Sequence, residues 1–259
     1  MFLTEKDPFD TRFKALKSCI NLAQHITFFG GAGVSVGSGI PDFRSAGGLY
    51  NNMPKEYQDV QPEYMLSRSC MIEKPEMFFT FYKNIMDVRG YQPNSVHKYL
   101  AKLEAAGKME AVITQNVDML HEAAGTKKLY KIHGTVAQNH CDKCHKVYDK
   151  DYIFNDTAPV PVCECGGVIR PDVVLYGEQL PEDQVVGALT SLHNTDLLIV
   201  CGTSLTVQPA ASFVSECTAS TMVIINQQPT SYDQWADIVF REDMNTIFDA
   251  LLSNTESRG

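Results

Sequence analysis

The chain has 259 residues, of which 44% are hydrophobic and 20% charged, the proportions of a globular protein long enough for one large domain and a smaller one. A net charge of −9 excludes a broad nucleic-acid surface; it suits a basic partner, or merely serves solubility. No apolar run nears the roughly 20 residues that span a membrane, and the opening MFLTEKDPFD lacks a signal peptide's basic-then-apolar order, so the expected location is the cytoplasm.

Residues 10–24 place Phe13, Leu16, Ile20 and Ala23 at helical spacing. Ile26–Phe29 is a short apolar run ending in glycines, as a buried strand entering a turn would be. Residues 30–50 are rich in Gly and Ser and read as a long loop. Residues 60–89 read as helical, with Pro62 and Pro75 in first turns, and 94–106 as a helix capped by Asn or Ser and ended near Gly107. Strands follow at 111–114, 129–132, 197–201 and 222–226, with helices at 118–124 and 245–253. Val173–Glu178 reads as another buried strand. This alternation argues for an α/β fold with a parallel sheet covered on both faces.

Residues 137–169 break the alternation, being polar and rich in Cys and Pro, and read as an inserted module. Cys141 and Cys144 form a C-x-x-C pair; Cys163 and Cys165 form a tighter C-x-C pair. Two chelating thiol pairs suit one tetrahedral, structural zinc, the alternatives being disulfides or free thiols. His140 and His145 are substitute ligands should the tight turn fail. Cys19, Cys70, Cys201 and Cys217 are scattered and read as ordinary buried residues.

The glycine run Gly30-Gly31-Ala32-Gly33-Val34-Ser35 follows a predicted strand and would let a phosphate approach the backbone, or serve as a bare turn. It leads into Ser38-Gly39-Ile40-Pro41-Asp42-Phe43-Arg44-Ser45. Farther on stand Thr114-Gln115-Asn116-Val117-Asp118, His133-Gly134, Val173-Val174-Leu175-Tyr176-Gly177-Glu178, Gly202-Thr203-Ser204 and a strand ending at Asn226. In this order the motifs closely resemble the sirtuin family, of bacterial type, from about residue 18 to 250.

The resemblance implies a Rossmann-like doubly wound parallel sheet with a smaller helical and zinc-binding domain inserted. Residues 10–45, 92–136 and 170–259 would form the NAD-binding domain, and 46–91 with 137–169 the small one. NAD would be the co-substrate and acyl-lysine proteins or peptides the partners. The implied cofactor contacts are Gly31, Ala32, Gly33, Ser35, Val36, Asp42, Phe43 and Arg44 in the glycine loop and its lid. Gln115, Asn116, Val117, Asp118 and His133 would line the nicotinamide and ribose pocket. Gly202, Thr203, Ser204, Asn226 and Gln227 would hold the adenosine half, with Asp243 and Met244 near the adenine; read without the resemblance, a polar residue ending a strand, as Asn226 does, is a plain cap.

The implied activity is NAD-dependent protein-lysine deacylation, releasing nicotinamide and O-acyl-ADP-ribose. His133 would be the general base, the role for which imidazole is best suited near neutral pH, and Asn116 and Asp118 would orient nicotinamide and ribose. Val174, Leu175, Tyr176, Gly177 and Glu178 would receive the substrate backbone by strand addition. Family members that remove acidic acyl groups carry a Tyr-x-x-Arg pair on a small-domain helix; here Phe79 and Tyr82 stand at those positions, so neutral acyl groups are expected. Mono-ADP-ribosyl transfer and a non-catalytic NAD or zinc module are the rival functions.

Overall fold

The computed structural model describes the backbone of residues 2–256 and the side chains of 2–253. Residues 257–259, the end of the expected NAD-binding range, lie outside the described residues. The strands are β1 (Ile26–Gly30), β2 (Met109–Thr114), β3 (Leu129–Lys131), β4 (Gly134–Cys141), β5 (Val147–Asp149), β6 (Ile169–Val173), β7 (Leu197–Cys201), β8 (Thr221–Ile225) and β9 (Ile238–Phe240).

Six of them form one parallel sheet in the order β3-β2-β1-β7-β8-β9. β1 and β7 are buried along their whole length, as their unbroken apolar sequences require at the centre of a sheet covered on both sides. Successive side chains enter opposite faces. Ile26, Phe28, Leu197 and Ile199 pack with the helices Phe9–Leu22, Ser95–Ala105 and Met244–Glu256. Phe29, Leu198 and Val200 pack with Glu182–His193 and the 3₁₀ turn Ala210–Glu216. From β1 the chain runs outward to β3 and returns on the other side of β1 as β7. The strand order therefore reverses between β1 and β7, where sheets of this type open a crevice at their carboxyl ends.

A second core belongs to the helices Pro62–Met65, Arg68–Glu73 and Pro75–Ile85 and to the antiparallel sheet β5-β4-β6. Pro62 and Pro75 each sit in a first turn, where a missing amide costs nothing. Phe78, Phe79, Phe81 and Tyr82 fill this core; Tyr82 stacks on Phe154 with ring centroids 5.5 Å apart.

Three readings of the sequence change. The strand expected over Val173–Glu178 is instead Ile169–Val173, followed by a single bridge at Tyr176, because Glu178 folds back and takes the Leu175 amide. The long loop at 30–50 contains a short helix, Gly33–Val36, which the glycine-rich composition hid. The helix Glu182–His193 was not anticipated, although Glu182 and Asp183 in its first turn were a start signal.

Behind the sheet's carboxyl edge lie two buried histidines, His97 on Ser95–Ala105 and His121 on Leu120–Ala123, with ring centroids 4.7 Å apart. Neither His121 nitrogen, nor Nε2 of His97, has a hydrogen-bond partner among the described residues. Burial holds His97 down to about 4 and, with His97 beside it, His121 down to about 3, from the usual 6.5. Above pH 6.5 both rings are neutral whether the chain is folded or not; below it the unfolded chain binds protons that the fold refuses. Stability should therefore fall on acidification, by about 2 kcal/mol per histidine between pH 7 and pH 5. Urea unfolding across that range should show a steep loss in the wild type and a clearly shallower one in His121→Phe. Equal slopes would contradict the prediction.

Candidate active site

β1 ends at Gly30 opposite Cys201, the last residue of β7, and both chains leave the sheet side by side. Gly31 N donates to Cys201 O at 3.1 Å and Gly33 N to Gly202 O at 2.9 Å. A Cβ on Gly33 would lie 2.7 Å from Gly202 Cα; one on Gly202, whose φ is 59°, would lie 2.6 Å from Val34 N. Only glycine permits this approach. The amides of Ala32, Thr203 and Ser204 take no hydrogen bond among the described residues, so this crevice offers donors for a pyrophosphate.

The helix Gly33–Val36 points Ser35 inward while Val36 faces out, 48% exposed. The Ser35 hydroxyl donates to Asp118 Oδ2 at 2.7 Å and accepts from Asn116 Nδ2 at 3.0 Å. Asp118 Oδ1 accepts the Leu120 amide at 3.0 Å. All three side chains are buried. Burial raises the Asp118 pKa, against the pull of the Ser35 and Leu120 donors. Gln115 Nε2 donates to Thr203 Oγ1 at 3.0 Å, tying the end of β2 to the turn after β7. Val117 packs into the second core, and its carbonyl accepts Val136 N at 2.9 Å.

His133 stands between β3 and β4, with Nδ1 3.0 Å from Gln115 O. A carbonyl only accepts, so Nδ1 carries the proton and Nε2 keeps its lone pair. Burial lowers the His133 pKa, opposed by the bond to Gln115, which leaves a neutral ring at pH 7 able to take a proton.

Val174 N donates to His133 O at 2.9 Å, so the 174–178 segment starts beside His133. Tyr176 spends both backbone groups on the helical module, donating to Leu66 O and accepting from Arg68 N, each at 3.0 Å. The Val174 carbonyl and Gly177 amide have no partner among the described residues. Glu178 is fully engaged: Arg170 donates to it at 2.5 and 2.8 Å, Arg68 at 3.0 Å and Leu175 N at 2.9 Å. Burial alone would raise the Glu178 pKa, but the Arg170 guanidinium and these other donors draw it down to about 2. A groove of about 680 Å³ runs along the segment, lined by Val174, Gly177, Glu178 and Gln179 with Arg68 and Arg170. The sequence reading missed Arg170; its signal was an arginine eight residues before Glu178, at the start of the Ile169–Val173 strand.

The lid residues Asp42, Phe43 and Arg44 follow the glycine loop. Asp42 accepts Ser45 N at 2.9 Å, Phe43 lies against Tyr50, and Arg44 reaches the Tyr176 hydroxyl at 3.1 Å. Where the adenosine half is expected, Ser204 bonds Thr206 and the Asn226 side chain donates to Gln228 O at 2.7 Å, while Gln227 is exposed. Asp243 accepts Asn245 N at 3.1 Å, beginning the last helix, and Met244 is buried in the core.

The four sulfurs of Cys141, Cys144, Cys163 and Cys165 lie within 4.8 Å of one another, the one such cluster of metal-ligating groups among the described residues. Cys141 and Cys165 are 3.5 Å apart, Cys144 and Cys163 3.7 Å. Four zinc–sulfur bonds of about 2.3 Å in a tetrahedron place sulfurs about 3.8 Å apart, so the cluster suits zinc. His140 pairs with Asp172 instead, and His145 stands outside the cluster.

A profile of the Sir2 family matches residues 31–209. The chain is 46% identical to the NAD-dependent protein deacetylase of Clostridium tetani over 94% of its own length and 98% of that protein's. It is 45% identical to that of Staphylococcus epidermidis, over 92% and 96%. Among solved structures it resembles Sir2Tm bound to a propionylated peptide, with TM-score 0.83, 31% identity and coverage of 94% and 98%. A complex of Sir2 with a p53 peptide and NAD+ aligns with TM-score 0.82, 34% identity and coverage of 94% and 98%. Identity at this level, along nearly the whole of both chains and on a shared fold, leaves one assignment: the chain belongs to the Sir2 family.

Proposed function

We propose that the protein is an NAD-dependent protein-lysine deacylase that releases nicotinamide and O-acyl-ADP-ribose. The observation that carries this reading is the buried Ser35–Asn116–Asp118 cluster with neutral His133 beside it, at the switch point of the sheet. Bound NAD supplies the ADP-ribosyl acceptor for the acyl group and a cationic nicotinamide as leaving group. Asn116 and Asp118, fixed through Ser35, orient the nicotinamide ribose. His133 Nε2 takes the proton of a ribose hydroxyl. Gly31, Ala32, Gly33, Thr203 and Ser204 bind the pyrophosphate side, and Asn226, Gln227, Asp243 and Met244 the adenosine side. Val174 and Gly177 offer their free backbone groups to the substrate, while Glu178 holds the segment in shape through Arg170 rather than touching the peptide.

The same reading assigns residues 10–45, 92–136 and 170–259 to NAD binding and 46–91 with 137–169 to the small domain. Among the described residues no helix is long and apolar enough to cross a membrane, and the proposed location is the cytoplasm.

A neutral acyl group fits the small-domain helix. Phe79 and Tyr82 are fully buried, Lys83 donates to the carbonyls of Asp156 and Ala158, and Arg89 is engaged by Asp87 and Asn155. A carboxylate there would lack a cationic partner. On one peptide carrying acetyl-, butyryl- or succinyl-lysine, kcat/KM should be highest for a neutral chain, and mass spectrometry should find O-acyl-ADP-ribose. His133→Ala should cut turnover at least 100-fold, the usual worth of a general base being about 10²–10⁴, while NAD still binds. Because burial lowers the His133 pKa, the acid limb of the wild-type profile should fall below pH 6.5. ADP-ribosylated protein without deacylation would favour the transferase instead, and succinyl outpacing acetyl would overturn this reading of the small-domain helix.

One zinc per chain should occupy the four thiolates and brace β4 and the turn before β6. Metal analysis of protein purified without chelator should find one equivalent, and stripping it should lower the melting temperature before activity is assayed. Metal-free protein of unchanged stability would rule this out.

A further inference from the structure

The lid closes on itself. Leu49 N donates to Asp42 O at 2.7 Å and Tyr50 N to Phe43 O at 2.8 Å, and Asn51 Nδ2 donates to Arg44 O and Ser45 O at 3.1 and 2.7 Å. Outward, the hydrogen bonds of its Arg44 and Tyr50 side chains meet at one hydroxyl. Arg44 Nη2 donates to the Tyr176 oxygen at 3.1 Å, and the Tyr50 and Tyr176 hydroxyls are hydrogen-bonded at 3.2 Å. The Arg44 guanidinium also lies over the Tyr50 ring, 5.3 Å from its centroid, with Glu63 3.6 Å from Nη2. Tyr176 itself is anchored, since its backbone is bonded to Leu66 and Arg68.

We propose that Tyr176 is a positioning residue for the cofactor: its hydroxyl fixes Arg44 so that the free face of the guanidinium is presented to the NAD pyrophosphate. The inference rests on the deacylase reading and gives a cofactor role to a residue that the family resemblance implies only for the peptide side. A guanidinium has five N–H donors, and Tyr176 and Glu63 both engage Nη2. Nε and Nη1 of Arg44 make no hydrogen bond among the described residues, which leaves three donors for an anion. Without the hydroxyl the long side chain must be ordered when the anion binds, and affinity falls by that cost. The lid would keep its internal bonds, and the Tyr176 backbone its own.

Tyr176→Phe removes the hydroxyl alone. Titration calorimetry of the full, zinc-loaded chain should show the Kd for NAD raised about 3- to 10-fold, the worth of one hydrogen bond to a charged group at a part-exposed site. The melting temperature should not move, and the loss of NAD affinity should exceed any loss of affinity for an acetyl-lysine peptide. In an Arg44→Ala background the same substitution should have no further effect on NAD affinity. An unchanged or lowered NAD Kd, an equal loss of peptide affinity, or additive effects of the two substitutions would each overturn the proposal. If the wild-type chain binds no NAD, the deacylase reading fails and takes this one with it; if it binds NAD and Tyr176→Phe binds equally well, only the positioning role fails.

Discussion

A Cβ atom at Gly33 would stand 2.7 Å from Gly202 Cα, and the reverse substitution is no better accommodated. The two loops therefore touch backbone to backbone, joined by Gly33 N to Gly202 O at 2.9 Å. Everything proposed for the site depends on this approach. It seats the short Gly33–Val36 helix at the end of β1, and that helix carries Ser35 to Asn116 and Asp118. It also leaves the turn after β7 within reach of Gln115, whose carbonyl sets the His133 tautomer. A sheet whose strand order reverses between β1 and β7 puts these chain ends at one crevice, so fold and chemistry meet in a single backbone contact.

Around that contact the molecule tolerates buried polarity because nearly every such group is matched. Asp118 shares its two oxygens between Ser35 and Leu120, and Glu178 satisfies two arginines and an amide. Removing one partner from either set would strand a buried charge, which is far costlier than never having buried the pair. Among the described residues single atoms of Ser38, Tyr82, Glu122 and Thr126 go unmatched, as does the His97–His121 pair, whose cost is kept low by both rings staying neutral.

The parallel sheet was legible because continuous apolar runs such as Leu197–Cys201 admit few other structures, and that strand lies where its sequence placed it. Asn94 was legible as a cap, and it also donates to Val34 O at 2.7 Å, a link across the glycine loop that local spacing cannot disclose. The cysteine pairs were legible as a cluster since chelation imposes its own spacing. What escaped were features set by distant partners. The 174–178 segment looks like a strand from its β-branched and aromatic residues, but Arg170 and Glu178 bend it into a turn. The lid's tie to Tyr176 joins residues 132 positions apart and leaves no local trace.

The most direct test of the central contact is the NAD affinity of Gly202→Ala, measured by calorimetry beside its affinity for an acetyl-lysine peptide. A methyl group there must displace Val34 and adopt a φ of 59°, which L-residues other than glycine hold only at a cost of about 1 kcal/mol or more. The account predicts that NAD affinity drops at least tenfold while peptide affinity and zinc content persist. NAD binding as tight as in the wild type would contradict it.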